Sequence, residues 1–270
     1  IALLVLVGSL FGWRSWKSAQ TAADGPSVVN ASPRNVSFAQ VTEQAGMEYF
    51  PTLSPDGRTL VYARRDNSNW DLWQQAIGKH DAVNLTSDSV KDDLQPAFSP
   101  DGKQLVFHSE REGGGLFVME LATRAVRKIN AEGFNPTWSP DGAEIAYCTA
   151  NLTNIEARAA SQIWAVRVDN GARRLIVSQD SVQPAWSPNG KFIAFFGNQA
   201  NGQLDLMTVS ASGGTPLPLT NDAAVDWNPC WAAASVAASP SRYRPSRPCR
   251  SAGRALRFCE YIRGYGHPAS

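Results

Sequence analysis

The 270-residue chain is poor in the side chains that do covalent or metal chemistry. Its three histidines, His80, His108 and His267, are scattered, with no His-rich motif around any of them. The four cysteines, Cys148, Cys230, Cys249 and Cys259, have neither metal-ligand spacing nor a recognisable disulfide framework. Cys148 lies in a strand pattern and reads as a small buried hydrophobe. Asp92 and Asp93 adjoin, but the spaced run of oxygen ligands that calcium needs is missing around them. A serine hydrolase needs a Gly-x-Ser-x-Gly elbow, and none is present. The expectation is therefore no catalytic residue, no metal and no cofactor. What remains is binding chemistry, carried by charged and amide side chains between the apolar runs. The candidates are Arg64, Arg65, Asp93, Gln95, Arg111, Asn135, Gln183, Asp226 and Asn228.

These residues owe their positions to a recurring tetrapeptide. Ser54-Pro55-Asp56-Gly57 returns as Ser99-Pro100-Asp101-Gly102, Ser139-Pro140-Asp141-Gly142 and Ser187-Pro188-Asn189-Gly190, at intervals of 45, 40 and 48 residues. Ser at the first position, Pro at the second and Gly at the fourth suit a type I turn leading into a hairpin. Before each turn stands Pro, any residue, then a large apolar residue, as in Pro96-Ala97-Phe98 and Pro136-Thr137-Trp138. After each comes an alternating strand: Leu60 and Tyr62, Leu105 and Phe107, Ile145 and Tyr147, and in the last repeat Phe192, Ala194 and Phe196. A third strand and a short fourth follow. A period near 45 with four strands per unit predicts an all-β β-propeller of four-stranded blades. Four blades are expected, over about 48–86, 94–130, 134–178 and 182–220, and Asp226 to Trp231 reads as the start of a fifth in an incomplete ring. Trp73, Trp138, Trp164 and Trp186 are expected to pack between neighbouring sheets. With the first strand innermost, the Ser-Pro-Asp-Gly turns share one face, and the candidate residues fall on loops of the other. Loops held on a rigid scaffold are where binding concentrates; for any single residue the bland alternative is a solvated rim.

Charge narrows the partners. From Pro33 to Trp231 there are 16 basic and 22 acidic residues, a balance of −6 that argues against nucleic acid for the repeats.

The frame from Pro136 to Tyr147, Pro-x-Trp-Ser-Pro-Asp-Gly-x-x-Ile-Ala-Tyr, resembles the TolB-type, WD-like β-propeller repeat, and the resemblance runs from about Phe50 to Trp231. That family builds six- or seven-bladed rings, so the resemblance implies more blades than the four and a fraction visible here. An apolar segment, a linker and then such repeats is also similar to the extracytoplasmic half of bacterial membrane-anchored serine/threonine kinases. The kinase signatures themselves, a Gly-rich phosphate loop, His-Arg-Asp and Asp-Phe-Gly, do not occur in this chain.

The flanks differ from the repeats. Residues 1–17 open with about 13 nearly all-apolar positions, Ile1 to Trp13, followed by Arg14, Trp16 and Lys17. They are expected to be the second half of a membrane helix, with a signal-peptide core as the rival; either places the repeats outside the cytoplasm. Residues 18–35 read as a linker, and 36–231 as the propeller region, whose first stretch, Val36 to Thr42, resembles a blade's fourth strand able to close a ring. Residues 232–270 carry seven Arg and no Lys, begin where a fifth Ser-Pro-Asp-Gly is due, and read as a frame-shifted or naturally disordered basic tail. The expected function is a non-catalytic extracytoplasmic binding or sensor module, tethered through its N-terminal segment and linked to a signalling kinase. Its partner would be a protein or peptide, with a small molecule second. A periplasmic Tol-system protein and the propeller of a prolyl-oligopeptidase-type peptidase are the alternatives.

Overall fold

The structure is a computed structural model, and it describes residues 40–43, 46–66, 69–151, 160–178, 180–198, 202–220 and 228–231. The apolar segment, the linker, Asp226 and the basic tail lie outside the described residues. The chain divides into two units, 1–40 and 41–270, and the strands all belong to the second.

Those strands make four sheets of four, each in simple chain order. Blade 1 comprises β1 (Met47–Leu53), β2 (Thr59–Arg65), β3 (Trp70–Ala76) and β4 (Ala82–Asn84). Blade 2 comprises β5 (Asp93–Phe98), β6 (Gln104–Ser109), β7 (Gly115–Glu120) and β8 (Val126–Asn130). Blade 3 holds β9 (Phe134–Trp138), β10 (Glu144–Cys148), β11 (Ile163–Arg167) and β12 (Arg173–Val177). Blade 4 holds β13 (Ser181–Trp186), β14 (Phe192–Asn198), β15 (Leu204–Ser210) and β16 (Leu217–Pro218). All neighbouring pairs are antiparallel. The first strands of successive blades adjoin, β1 to β5, β5 to β9 and β9 to β13, which makes them the inner strands.

The recurring tetrapeptide works as a small hydrogen-bonded lock between the first two strands. In each copy the Ser hydroxyl donates to the third residue's Oδ1, at 2.5, 2.7, 2.5 and 2.8 Å. The same hydroxyl accepts the backbone N–H five residues on, at 2.9 Å in every copy. Oδ1 also accepts the N–H two residues on, which is why Asn189 serves as well as Asp. The Ser hydroxyl, and then the backbone N–H, hold the Asp56, Asp101 and Asp141 carboxyls below the usual range. The glycines close the turns at φ between +69° and +72°. The later three also meet the preceding blade: a Cβ on Gly102 would stand 3.3 Å from Pro55 Cδ, and those on Gly142 and Gly190 would stand 3.9 Å from Pro100 and Pro140.

Blades then bury their faces pairwise. Val61, Ala63 and Leu72 of blade 1 pack on Leu105, Phe107 and Phe117 of blade 2. Val106 and Val118 of blade 2 pack on Ile145 and Tyr147 of blade 3. Ala146 and Cys148 of blade 3 pack on Ile193 and Phe195 of blade 4. Each fully buried large side chain contributes roughly 1.5–3 kcal/mol to this joint. The residues six and eight positions after each turn Ser therefore face the preceding blade, and in blade 4 these are Ile193 and Phe195. The expected phase of Phe192, Ala194 and Phe196 is off by one, because Phe192 forms the first rung beside the turn. Trp138 and Trp186 are buried as expected, whereas Trp73 and Trp164 are half-buried. Residues 40–43 carry no strand, so the described part of the Val36–Thr42 segment is not a fourth strand.

The turn contacts set an order of sensitivity. Gly57→Ala, with open space around the new Cβ, meets backbone strain alone, about 1–2 kcal/mol. Gly102→Ala meets the same strain plus Pro55, so urea denaturation should show the larger loss at Gly102; equal losses would remove the turn-on-turn contact from the account.

Candidate functional site

A second regularity runs along the inner strands, at the residue just before each proline. Phe50, Gln95, Asn135, Gln183 and Asn228 all take a left-handed backbone, with φ from +50° to +58°. Non-glycine residues seldom adopt this region. In each described inner strand the ladder to the second strand shifts register there, between Tyr49 and Thr52, Leu94 and Ala97, Val182 and Ala185, and opposite Ala146 to Cys148. A bulge of this kind re-aims one side chain out of the ladder. Four of these five positions are amides in the sequence, and all four amides were among the candidates.

The bulges connect blade to blade. Gln95 Oε1 accepts the Asn135 backbone N–H at 2.8 Å, and Gln183 Oε1 accepts that of Asn228 at 3.0 Å. Asn135, one methylene shorter, makes no such bond; its Oδ1 lies 3.6 Å from the Cys148 thiol, whose single proton has nearer acceptors in Phe134 O and Ala150 O at 3.3 Å. A tryptophan repeats the link: Trp138 Nε1 donates to Ala97 O at 3.1 Å, and Trp231 Nε1 to Ala185 O at 2.9 Å. Residues 228–231 thus dock on blade 4 as the blade 3 inner strand docks on blade 2. The oxygens of Gln95 and Gln183 are spent on these joints, and among the described residues no partner is recorded for their Nε2 donors.

Asp93 and Arg111 come together next to this row. Asp93 is fully buried at the first position of β5, and Arg111 opens a short 3-10 turn, Arg111–Gly113. Arg111 reaches Asp93 through Nη2 at 2.8 Å and Nε at 3.3 Å, and clamps Asp88 at 2.9 and 3.1 Å. Burial pushes the Asp93 carboxyl up, with Arg111 and Ser109 pulling it back. The adjacent Asp92 does different work, capping the Trp70 N–H at 2.9 Å. The two neighbours are therefore a split pair, one buried in an ion pair and one holding the blade 1 backbone. Asp88 is the member the sequence reading missed; it stands in the polar connection between blades 1 and 2 with nothing in its spacing to distinguish it.

Arg64 and Arg65 end β2 rather than lying in a loop. Arg64 is buried, bonded to Asp66 at 2.6 and 3.1 Å, with its guanidinium 3.5 Å from the Trp73 ring centroid. It is occupied structurally, while Arg65 is exposed. His108 has no motif around it in the sequence. Its register in β6 is the available signal, since it follows Val106 on the side facing blade 3. There Nδ1 lies 2.7 Å from Gly133 O, and the ring stacks on Phe134 at 4.3 Å. Burial lowers the His108 pKa, with the Gly133 carbonyl, Glu110 and Asp92 opposing. Among the described residues no group of three or more His, Cys, Asp or Glu is placed to hold a metal ion. No helix among them is long and apolar enough to cross a membrane.

Two outcomes follow. Removing Arg111 leaves Asp93 buried without its cation, so Arg111→Met should cost roughly 3–5 kcal/mol in urea denaturation, and Arg111→Met with Asp93→Asn distinctly less than the sum of the single losses. His108 is favoured neutral in the fold, so its contribution is complete above the unfolded value of about 6.5 and is lost as pH falls through it toward the lowered folded value. The raised Asp93 works oppositely, its burial cost easing as pH falls through its folded value. His108→Gln should flatten the stability loss just below pH 6.5 in thermal melts; an unchanged slope would place the proton uptake elsewhere.

Comparison with known proteins agrees with the propeller fold. The Tol-Pal system protein TolB of Anaeromyxobacter dehalogenans is 31% identical over 133 residues, covering 47% of this chain and 29% of that protein. The uncharacterized peptidase YuxL of Bacillus subtilis is 25% identical over 191 residues, covering 55% of this chain and 29% of that one. The chain thus spans less than a third of the length of these curated relatives. The crystal structure of TolB from Acinetobacter baumannii, 22% identical, superposes on 66% of this chain and 43% of its own with a TM-score of 0.52, which speaks for the fold. Residues 24–235 match the model of the TolB beta propeller domain, PD40, and the chain belongs to that family.

Proposed function

We propose that the chain is a non-catalytic protein-binding module of the Tol-system kind, working outside the cytoplasm and recognising a protein or peptide at the inner-strand bulges. The observation that carries this is the repeated left-handed residue before proline, an amide at 95, 135, 183 and 228. Strained residues persist only where the surrounding structure over-determines them, and such positions cluster at ligand clamps. The inter-blade bonds of Gln95 and Gln183 fix their amides in place. Fixed amides on a rigid sheet spend little entropy on meeting a partner's carbonyls or carboxylates; Gln95 is itself buried, and Asn135, Gln183 and Asn228 are the members that reach solvent. The Asp88–Arg111–Asp93 clamp stiffens the loops beside them.

The relatives favour this reading over a kinase-linked receptor, since those reported are a Tol-Pal protein and a peptidase. In the receptor reading the same module would be tethered by residues 1–17 and signal through 14–35. The likeness to YuxL supports a second reading, in which the repeats are the propeller of a peptidase whose chemistry lies on another domain.

The test is calorimetric titration of purified Pal, the component named with TolB in that system, into the full chain. Saturable binding is expected, weakened tenfold or more by Gln183→Ala with Asn228→Ala. Failure to bind Pal, or binding indifferent to those substitutions, overturns the Tol-system assignment of this face.

A further inference from the structure

Asparagine precedes glycine at three places in the chain, 170–171, 189–190 and 201–202. Asn201 lies outside the described residues. The other two asparagines stand exposed in tight turns, and their surroundings differ by one hydroxyl. Asn170-Gly171 lies in the hairpin between β11 and β12, with Gly171 at φ +73°. Asn189-Gly190 ends the fourth copy of the turn tetrapeptide, with Gly190 at φ +72°. Each glycine N–H donates to a carbonyl of its own turn at 2.9 Å, Gly171 to Arg167 O and Gly190 to Ser187 O. Each asparagine Oδ1 accepts the N–H two residues on, from Ala172 at 2.9 Å and from Lys191 at 3.0 Å.

At Asn189 there is one bond more. The Ser187 hydroxyl donates to the same Oδ1 at 2.8 Å. That hydroxyl is itself anchored, since Ser187 is buried and its Oγ accepts the Phe192 N–H at 2.9 Å. Among the described residues, no side-chain donor is recorded for Asn170 Oδ1. Glycine in the next position matters for chemistry as well as for shape. Lacking a Cβ, it leaves its backbone nitrogen open to the side chain before it. Once that nitrogen gives its proton to solvent, it can bond to the asparagine Cγ. The Cγ–Nδ2 bond then breaks, ammonia leaves, and a five-membered cyclic imide remains. Water adds to the ring. Opening at the Cγ–N bond yields aspartate, and opening at the peptide C–N bond yields isoaspartate, whose chain runs through Cβ. The ring forms only when Cγ swings toward the glycine nitrogen, so each bond that fixes Oδ1 opposes it.

We propose that Asn170 is a modification site of the folded chain, converted with water to aspartate and isoaspartate, and that the Ser187 hydroxyl shields Asn189 from the same reaction. The lock that sets strand register thus has a second, chemical role. At 170 the reaction alters the hairpin. Aspartate there sets a new carboxylate next to Asp169, whose own is paired with Arg167 at 2.8 Å. Isoaspartate lengthens the turn that the Arg167 N–H closes on Ala172 O at 2.9 Å. At 189 aspartate would only restore the residue of the other three copies, Asp56, Asp101 and Asp141. Isoaspartate there would draw the Cγ carbonyl into the backbone and dismantle the lock, and this is the outcome that the hydroxyl opposes.

The test holds the full chain and its Ser187→Ala variant at mildly alkaline pH, both folded and in urea. Acid formation at 170 and 189 is followed by peptide mapping with mass spectrometry. In the folded, unaltered chain Asn170 should convert at least about fivefold faster than Asn189, the factor that one net hydrogen bond supplies. In urea the two rates should draw level. Ser187→Ala should raise the folded rate at 189 by about fivefold and leave 170 unchanged, so that Asn170 serves as the internal control for unfolding. Equal rates in the folded chain, a ratio that survives urea, or a Ser187→Ala variant in which 189 stays slow or 170 rises with it would each overturn the proposal.

Discussion

The burial of one blade's apolar face against the next is the constraint on which everything else in this molecule depends. A single four-stranded sheet of about 40 residues buries too little to stand alone. Each blade must therefore present two faces in the right phase, one backward and one forward. Leu105 and Phe107 look back at Val61, Ala63 and Leu72, while Val106 and Val118 look forward at Ile145 and Tyr147. A slip of one residue in any second strand would exchange the two sets. The Ser-Pro-Asp-Gly lock prevents the slip, because the Ser hydroxyl ties the turn to the residue five positions on, and so counts out where the second strand begins.

The polar joints are subordinate to this packing and use the geometry it creates. Once the inner strands lie side by side, the bulge before each proline can hand an amide oxygen to the next blade's N–H, and an indole can reach back to the previous blade's carbonyl. The bulge bond forms at Gln95 and at Gln183 but not at Asn135, whose side chain is a methylene shorter. Cys148 itself is a packing residue, fully enclosed, with burial pushing its thiol up to about 12. That is a poor nucleophile by protonation state and burial alike.

The same packing logic explains why the charged groups divide as they do. Asp93 and Arg111 meet where blades 1 and 2 join, and Arg64 lies flat on Trp73 where blade 1 has no predecessor among the described residues. In both places a cation has been drawn into the fold by an aromatic ring or a carboxylate. The residues left to meet a partner are fewer than the sequence offers: Arg65 and Asn228 are exposed, Asn135 and Gln183 are half-buried, and Gln95 is buried.

Much was decided by local chemistry and could be read before any coordinates. The turns, the order of strands within a blade, the number of blades and the buried state of Cys148 follow from short-range rules, because a type I turn and an alternating strand are each specified within about ten residues. The phase of β14 was misread because Phe192, Ala194 and Phe196 alternate as well as Ile193 and Phe195, and only the spacing from Ser187 breaks the tie. What tertiary structure alone decided is pairing across elements: which of two adjacent aspartates is buried, that Asp88 completes the clamp, that His108 rests on Phe134, and that Val41 accepts a bond from Gln75. Those contacts join residues 18 to 34 positions apart or cross a face that no periodicity marks, so their energies arise only once the blades are stacked.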